Sequence, residues 1–333
     1  MTEQVSSRQR IAVTGATGFV GRATLARMAA LGLRPRLLLR RPDPALEALA
    51  SEVVRGDLRD PEALEKLVAE VDTVLHIGGL VAAARASDFR AVNAEGTARL
   101  AMAAQAAGVE RFLLVSSLAA RHPELSPYAA SKRAAERALV ETAPGLSHCI
   151  LRPPGVYGPG DRATLPIFQQ LAAGMVIVPG RRDARFSLIY VEDLARAIVA
   201  LLQQPQAPAW DGEPLALDDG RLGGYGWHEL AAMAEEQLGR PIRLLRLSPA
   251  LLAPVTMTGA LWGRLTGRPV MLSPGKLREL AWPDWVSQAQ PERLPAEGRP
   301  EVDFIRGFTS TLEWYEKQGW LRPRRSAAKE ARP

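Results

Sequence analysis

Ile11-Ala12-Val13-Thr14-Gly15-Ala16-Thr17-Gly18-Phe19-Val20-Gly21 is the stretch that decides the fold. Three apolar residues suit a short buried strand, and glycines at 15, 18 and 21 follow at once. Behind them, residues 20–31 repeat apolar side chains at helical spacing. A tight turn, a backbone that approaches pyrophosphate and close helix–strand packing all call for glycine, and the helix start supplies oriented N–H donors. Gly15, Thr17, Gly18, Phe19 and Val20 are therefore candidate dinucleotide-binding residues. Three glycines alone are turn chemistry. Their place between the first strand and the first helix selects the nucleotide reading, although the G-x-x-G-x-x-G spacing is one residue wider at its start than G-x-G-x-x-G.

Outward from this junction the same alternation repeats. Short apolar runs at 37–39, 53–54, 73–77, 112–115 and 149–151 predict strands, and 61–68, 89–107 and 128–140 predict helices between them. Strand–helix alternation implies right-handed crossovers and an α/β, doubly wound parallel sheet covered on both faces. After Arg152 the texture changes. Pro153-Pro154-Gly155 and Gly158-Pro159-Gly160 predict a loop, 166–173 a helix, 186–191 a strand and 192–202 a helix. From about 211 onward the chain mixes prolines with short apolar runs, and six of its seven tryptophans lie beyond 226. The expected division is a dinucleotide-binding domain over 8–165 with 186–218 returning to it. A smaller substrate lobe takes 166–185 and 219–322, and a flexible basic tail takes 323–333.

A NAD site usually carries an acidic residue about 20 positions after the glycines, for the ribose 2′-hydroxyl. Here the second strand ends in Leu39-Arg40-Arg41-Pro42-Asp43. Two guanidiniums where a carboxylate belongs favour a 2′-phosphate, because Arg grips phosphate bidentately, so NADP(H) is expected over NAD(H). The opposing reading has both arginines solvated and Asp43 on the ribose. Gly56-Asp57-Leu58, after the third strand, sits where an adenine edge is held, or is a plain turn.

Ser126-Pro127-Tyr128-Ala129-Ala130-Ser131-Lys132 places Tyr128 and Lys132 four apart at a helix start, on one face. A free tyrosine titrates near 10, and a neighbouring ammonium and an oxidised nicotinamide would both lower that value. Lys132 is also in position to hold the nicotinamide ribose. Y-x-x-x-K is common by chance, but strand five ends in Val115-Ser116-Ser117, at the edge that faces the ligand crevice. A Ser117 hydroxyl there donates to a substrate carbonyl while Tyr128 moves the proton, and Ser117 is preferred over Ser116. Strand four ends in His76-Ile77-Gly78-Gly79, where small residues let a cofactor approach. His76 reads as a core or backbone-orienting histidine, and Asn93 as a structural polar residue near the site.

These motifs fall in one order along the chain: Thr14 to Gly21, Asp57-Leu58, the His76 strand, Asn93-x-x-Gly96-Thr97, Ser116-Ser117, Tyr128-x-x-x-Lys132, and Leu151-Arg152-Pro153 with Val156-Tyr157-Gly158-Pro159-Gly160. Together they resemble an extended short-chain dehydrogenase/reductase of the NAD-dependent epimerase/dehydratase type, over roughly residues 10–205. Tyr190-Val191-Glu192-Asp193 resembles that family's later strand–helix element. The resemblance implies a Rossmann-type α/β fold, hydride transfer at nicotinamide C4, Tyr128 as acid/base, Lys132 as its tuner and Ser117 as the carbonyl clamp. It also implies cofactor contacts from Gly78 and Pro153, and a homodimer through the helices carrying Asn93 and Tyr128. Sugar 4,6-dehydratases of this group add an Asp-Glu pair beside the serine, where this chain has Leu118-Ala119. Epimerases usually follow the serine with Val-Tyr-Gly, where this chain has Ala120-Arg121-His122.

Composition narrows the remaining choices. The 333 residues are 47% hydrophobic and 23% charged, with a net charge of +6 and a single cysteine, Cys149. Those values exclude a disordered chain, a disulfide framework and a cysteine-based zinc site. Of 42 cations only five are lysines, and the arginines read as scattered, which argues against nucleic acid. One long uncharged stretch, 247–263, has 17 residues and contains Pro249 and Pro254, so a packed or substrate-facing helix is expected there, without stable membrane insertion. No charged-then-apolar segment precedes the first strand, so a cytoplasmic location is expected. The leading functional reading is an NADP(H)-dependent dehydrogenase or reductase of a secondary alcohol/ketone pair. Leu251, Leu252, Val255, Leu261 and Trp262 line a hydrophobic cleft in that reading, as in steroid- or flavonoid-type relatives, or simply pack in a core. The alternatives are a nucleotide-sugar epimerase with tightly held NAD, in which Arg152, Arg181, Arg182 and Arg185 serve a diphosphate, and a non-catalytic nucleotide-binding subunit. Such subunits typically lose the Tyr or Lys that this chain keeps.

Overall fold

The computed structural model describes residues 9–322. The basic tail expected over 323–333 and the segment ahead of the first strand lie outside them. The chain runs β1 (Ile11–Thr14), α1 (Phe19–Ala30), β2 (Arg36–Leu39), α2 (Pro44–Glu47), β3 (Glu52–Arg55), α3 (Pro61–Val68), β4 (Thr73–His76) and α4 (Ala86–Phe89). A π-helical turn, Arg90–Ala94, leads into α5 (Glu95–Ala106), then β5 (Arg111–Val115), α6 (Pro127–Thr142), β6 (Ser147–Arg152) and β7 (Gly155–Tyr157). The remainder is α7 (Leu165–Ala173), β8 (Met175–Pro179), β9 (Arg185–Phe186), β10 (Leu188–Tyr190), α8 (Val191–Gln203), β11 (Leu215–Ala216) and β12 (Tyr225–Gly226). It closes with α9 (Trp227–Leu238), β13 (Arg243–Leu247), α10 (Pro249–Thr266), α11 (Pro274–Ala281), β14 (Asp284–Trp285) and α12 (Phe304–Lys317).

The main sheet has seven parallel strands in the order β11-β6-β5-β4-β1-β2-β3. Strand residues alternate between two cores, because side chains on a strand point to opposite faces in turn. Ile11, Val13, Leu37, Leu39, Leu75 and Leu113 pack on one face with α1 and α8. Ala12, Leu38, Val74, Phe112 and Leu114 pack on the other with α3, α5 and α6. With both faces buried the strands are apolar throughout, which is why they read as continuous runs. Helix starts carry their own signals: Asp60 accepts from the Ala63 amide at 3.1 Å ahead of Pro61, and Ser126 accepts from the Ala129 amide at 2.9 Å ahead of Pro127. Strand order reverses between β1 and β4, which opens a crevice at their carboxyl ends.

Three features differ from expectation. The sheet gains a two-residue edge strand, β11, too short to leave a pattern. The strand expected over 186–191 divides at Ser187, whose buried hydroxyl faces Asp218 at 3.3 Å; β9 pairs with β12 and β14, and β10 with β7. Most consequentially, α10 is packed on one side only: Leu251, Val255, Leu261 and Trp262 are more than half exposed, and only Thr256 and Gly263 in the helix are buried. Among the described residues no helix is long and apolar enough to cross a membrane. A third core, rich in stacked rings, joins Tyr157, Phe168, Phe304, Phe308 and Tyr315 beside the sheet.

Candidate active site

The glycine loop occupies the crevice. Gly15 has φ +80°, and a Cβ there would stand 2.4 Å from the Gly78 nitrogen, so the loops after β1 and β4 touch backbone to backbone. A Cβ on Gly21 would stand 2.2 Å from the Gly15 carbonyl oxygen. Both glycines are demanded by the protein's own packing. Gly18 is not: its φ is −73°, and its Cβ would meet only the Gly15 oxygen, at 3.3 Å. Gly18 caps α1 with no side chain to satisfy the first turn, so amides at Phe19 and Val20 are left for an outside acceptor. This geometry fits a pyrophosphate. Gly18→Ala is expected to leave the melting temperature nearly unchanged and to lower dinucleotide affinity by about tenfold or more, measured by nucleotide titration. Unchanged affinity would mean the loop does not face phosphate.

His76 locks the crevice floor. Its Nδ1 lies 2.5 Å from the Thr14 hydroxyl and its Nε2 3.0 Å from the Thr97 hydroxyl. Thr97 donates its own proton to the Asn93 carbonyl at 2.6 Å, so it accepts from Nε2–H, and Nδ1 accepts from Thr14. Burial, with the Lys132 charge adding to it, holds the His76 pKa down to about 3. The ring is a neutral strut and no base. Asn93, on the π-helical turn, accepts from the Leu80 amide at 2.7 Å and donates to the Leu80 carbonyl and the Ser131 hydroxyl. Ser131 in turn donates to the Tyr128 carbonyl at 2.7 Å. The loop after β4 is thereby tied to the first turn of α6.

Ser117, Tyr128 and Lys132 come together at the carboxyl end of β5. Ser117 accepts from the Ala119 amide at 3.2 Å, which leaves its proton free, and its hydroxyl lies near the Tyr128 phenol. Burial pushes the phenol's pKa up to about 12, and the Ser117 contact opposes this only in part. Lys132 is buried and donates to the Val115 carbonyl at 2.8 Å. Burial pulls its pKa down to about 8, with the Glu136 carboxylate working in the opposite direction. Ser116, one residue from Ser117, is already engaged: it donates to Glu136 at 2.6 Å. Pro153 is buried beside this end, and its carbonyl accepts from the Leu118 amide at 2.8 Å.

At the other end of the crevice, Arg40 and Arg41 are exposed, and among the described residues neither forms an ion pair. Asp43 is occupied: it accepts from the Leu46 amide to cap α2 and pairs with Arg22 at 2.6 Å, which holds its carboxyl below the usual range. Arg40, Gly56, Asp57 and Arg59 line one surface cleft, and Asp57 pairs with Arg59 at 2.6 Å. Leu58 is buried against Gly96 and takes no part in the cleft.

Two buried carboxylates escaped the sequence reading, because their partners come from elements far apart in the chain. Glu136 on α6 accepts two bonds from Arg152, at 2.8 and 2.6 Å, one from Ser116 and one from Arg133 at 3.2 Å. Glu279 on α11 accepts from Ser126 and pairs with Lys276 at 3.0 Å. Three of the four arginines suggested for a diphosphate are committed elsewhere, Arg152 to Glu136, Arg181 to Asp183 and Arg185 to Glu229, while Arg182 is exposed and forms no ion pair among the described residues.

Comparison with known proteins agrees with the fold. Residues 11–211 match the NAD dependent epimerase/dehydratase family. A ceramide reductase of Caulobacter vibrioides is 42% identical over 95% of this chain and 97% of its own. A 2-alkyl-3-oxoalkanoate reductase of Stenotrophomonas maltophilia is 29% identical over 56% of this chain and 63% of its own. In fold, the chain is similar to a UDP-glucose 4-epimerase of Thermus thermophilus in complex with NAD, with a TM-score of 0.66 at 23% identity over 92% and 99% of the two chains.

Proposed function

The chain belongs to the NAD-dependent epimerase/dehydratase family and is an enzyme of that class, and from this premise we propose that it reduces a ketone on a ceramide-like lipid, with NADPH as reductant. The observation that carries the reading is the reach of the match to the ceramide reductase. It covers 95% of the chain, whereas the oxoalkanoate reductase covers 56%. The C-terminal lobe, which the family match at 11–211 leaves out, is thus shared with a lipid reductase. Likeness to sugar epimerases at about 23% identity carries the fold alone.

The chemistry follows from three side chains. A bound reduced nicotinamide supplies the hydride. Ser117, its proton uncommitted, donates to the carbonyl oxygen and polarises the carbon. Tyr128, protonated at neutral pH like a free phenol and held more firmly so by burial, gives its proton to that oxygen. The Lys132 ammonium stabilises the phenolate left behind, and solvent returns the proton. One ketone, one hydride and one proton give one secondary alcohol. A high phenol pKa suits this acid role better than proton removal from an alcohol.

Mass spectrometry of the products tests the assignment. With NADPH and an oxo-ceramide, a hydroxyl product two mass units heavier should form in step with NADPH loss. UDP-glucose should not be epimerised, and denatured protein should release little NAD. Turnover of the sugar nucleotide with NAD retained in the protein would overturn the proposal. The cofactor preference has its own test. Replacing Arg40 and Arg41 by Ala should weaken NADPH about ten- to a hundredfold and NADH about twofold at most, since a hydrogen bond to a charged group contributes about 1.5–3 kcal/mol. Equal losses would remove the 2′-phosphate assignment.

A further inference from the structure

Residues 237–278 contain no Asp or Glu, yet hold seven cations. The rest of the chain balances 35 cations against 36 acids, so this one segment of 42 residues accounts for the whole net charge of +6. Reading the arginines as scattered missed it, because the signal is missing acids and not crowded bases. Among the described residues only one of the seven, Lys276, forms an ion pair. Arg240, Arg243, Arg264, Arg268 and Arg278 are exposed.

The same segment builds β13, α10 and α11, and α10 shows an apolar stripe to solvent. Leu251, Val255, Trp262 and Leu265 lie on one side of the helix, exposed by 69, 61, 51 and 78%. The inward side is already filled: a Cβ on Gly263 would stand 2.5 Å from Val270, and Thr256 is fully buried. The stripe is therefore not a core face. Arg268 lies over the Trp262 ring at 5.7 Å, so cationic and apolar groups share one edge. Pro254 and Arg264 lie within the helix, which suits a position along a surface better than across a bilayer.

We propose that α10 docks in the plane of an anionic lipid bilayer, its stripe at the acyl boundary and the flanking guanidiniums on lipid phosphates. Charge selects this occupant. A second copy of the chain would bring an identical acid-free surface against it, like charge on like. The location gives the docking a purpose. α11 packs on α10, its Glu279 accepts from Ser126 two residues before Tyr128, and Val270 bridges to Ala83 in the loop after β4. The docked face thus belongs to the element that braces the catalytic end of the crevice, where a lipid substrate has to arrive. The inference goes beyond the reductase reading and rests on α10, not on the substrate.

Co-sedimentation of the full chain with vesicles tests it, with neither NADPH nor ceramide present, so either reading can fail alone. Vesicles of phosphatidylcholine with about a third phosphatidylglycerol should carry the protein down, and phosphatidylcholine alone should carry far less. Val255→Glu with Leu265→Glu, both on the exposed stripe, should abolish sedimentation with folding unchanged by circular dichroism. Arg264→Gln with Arg268→Gln should weaken binding to the anionic vesicles about thirtyfold. Wild-type protein left in the supernatant, or a glutamate variant that sediments like wild type, would overturn the proposal. So would a dimer by light scattering that the glutamate substitutions dissociate while vesicles bind neither form.

Discussion

Tyr128→Phe is expected to lower kcat for ketone reduction about a thousandfold while leaving NADPH affinity within about twofold of wild type. The phenylalanine keeps the ring against Phe89, with centroids 6.1 Å apart, and removes only the proton that the carbonyl oxygen needs. In the proposed reading cofactor binding rests on the glycine loop and on Lys132, which the substitution leaves in place. In wild type the reduction rate should hold through neutral pH and decline as pH rises past about 8, where Lys132 loses its charge and the phenolate loses its stabiliser. The sign follows from the depressed pKa of the ammonium: its charge is present below that value and gone above it. Stopped-flow or steady-state rates from pH 6 to 10 check both points. A phenylalanine variant that keeps a tenth of wild-type turnover would mean the proton has another source.

Glu136→Ala is expected to cost about 3–5 kcal/mol of folding stability, read from denaturant titration. The carboxylate is 3% exposed and neutralises Arg152, itself 15% exposed, through two bonds. Removing it leaves a guanidinium and the Ser116 hydroxyl in the interior without an acceptor. Replacing the pair together with apolar residues should cost much less than replacing Glu136 alone, since the penalty lies in the orphaned charge. Glu136 also holds up the pKa of Lys132, so in Glu136→Gln the alkaline decline of the rate should move below pH 8. A cost under about 1 kcal/mol would show that Arg152 finds water when its partner is gone.

The sheet was legible because its causes are local. A buried strand leaves an apolar run, a phosphate loop leaves glycines, and a helix start leaves Ser-Pro or Asp-Pro, all within a few residues. Ser117, Tyr128 and Lys132 were legible for a related reason, since a strand end and an i, i+4 pair are short-range patterns whose meeting the topology then enforces. Glu136 was not, because its partners come from the residue just after β5, from β6 and from α6 itself, and no short window contains them. β11 was hidden by its length of two residues. α10 misled by its composition. An uncharged helix reads as buried, and only its fixed packing against Val270 reveals which side is spent and which remains.

The π-helical turn at Arg90–Ala94 has a consequence for how this protein can evolve. Such a turn holds one residue more than an α-helix would, and each residue in a helix advances about 100° around the axis. Loss of a single codon just after Asn93 would heal the turn into regular helix, with little change in composition or hydrophobicity. Everything ahead of the deletion, Asn93 included, would then rotate by about that angle against α5. The asparagine would swing away from Leu80 and Ser131, and the loop after β4 would lose its tether to α6. Along this stretch, chain length is inherited under tighter constraint than residue identity. Insertions and deletions should be purged there in lineages that tolerate many point substitutions.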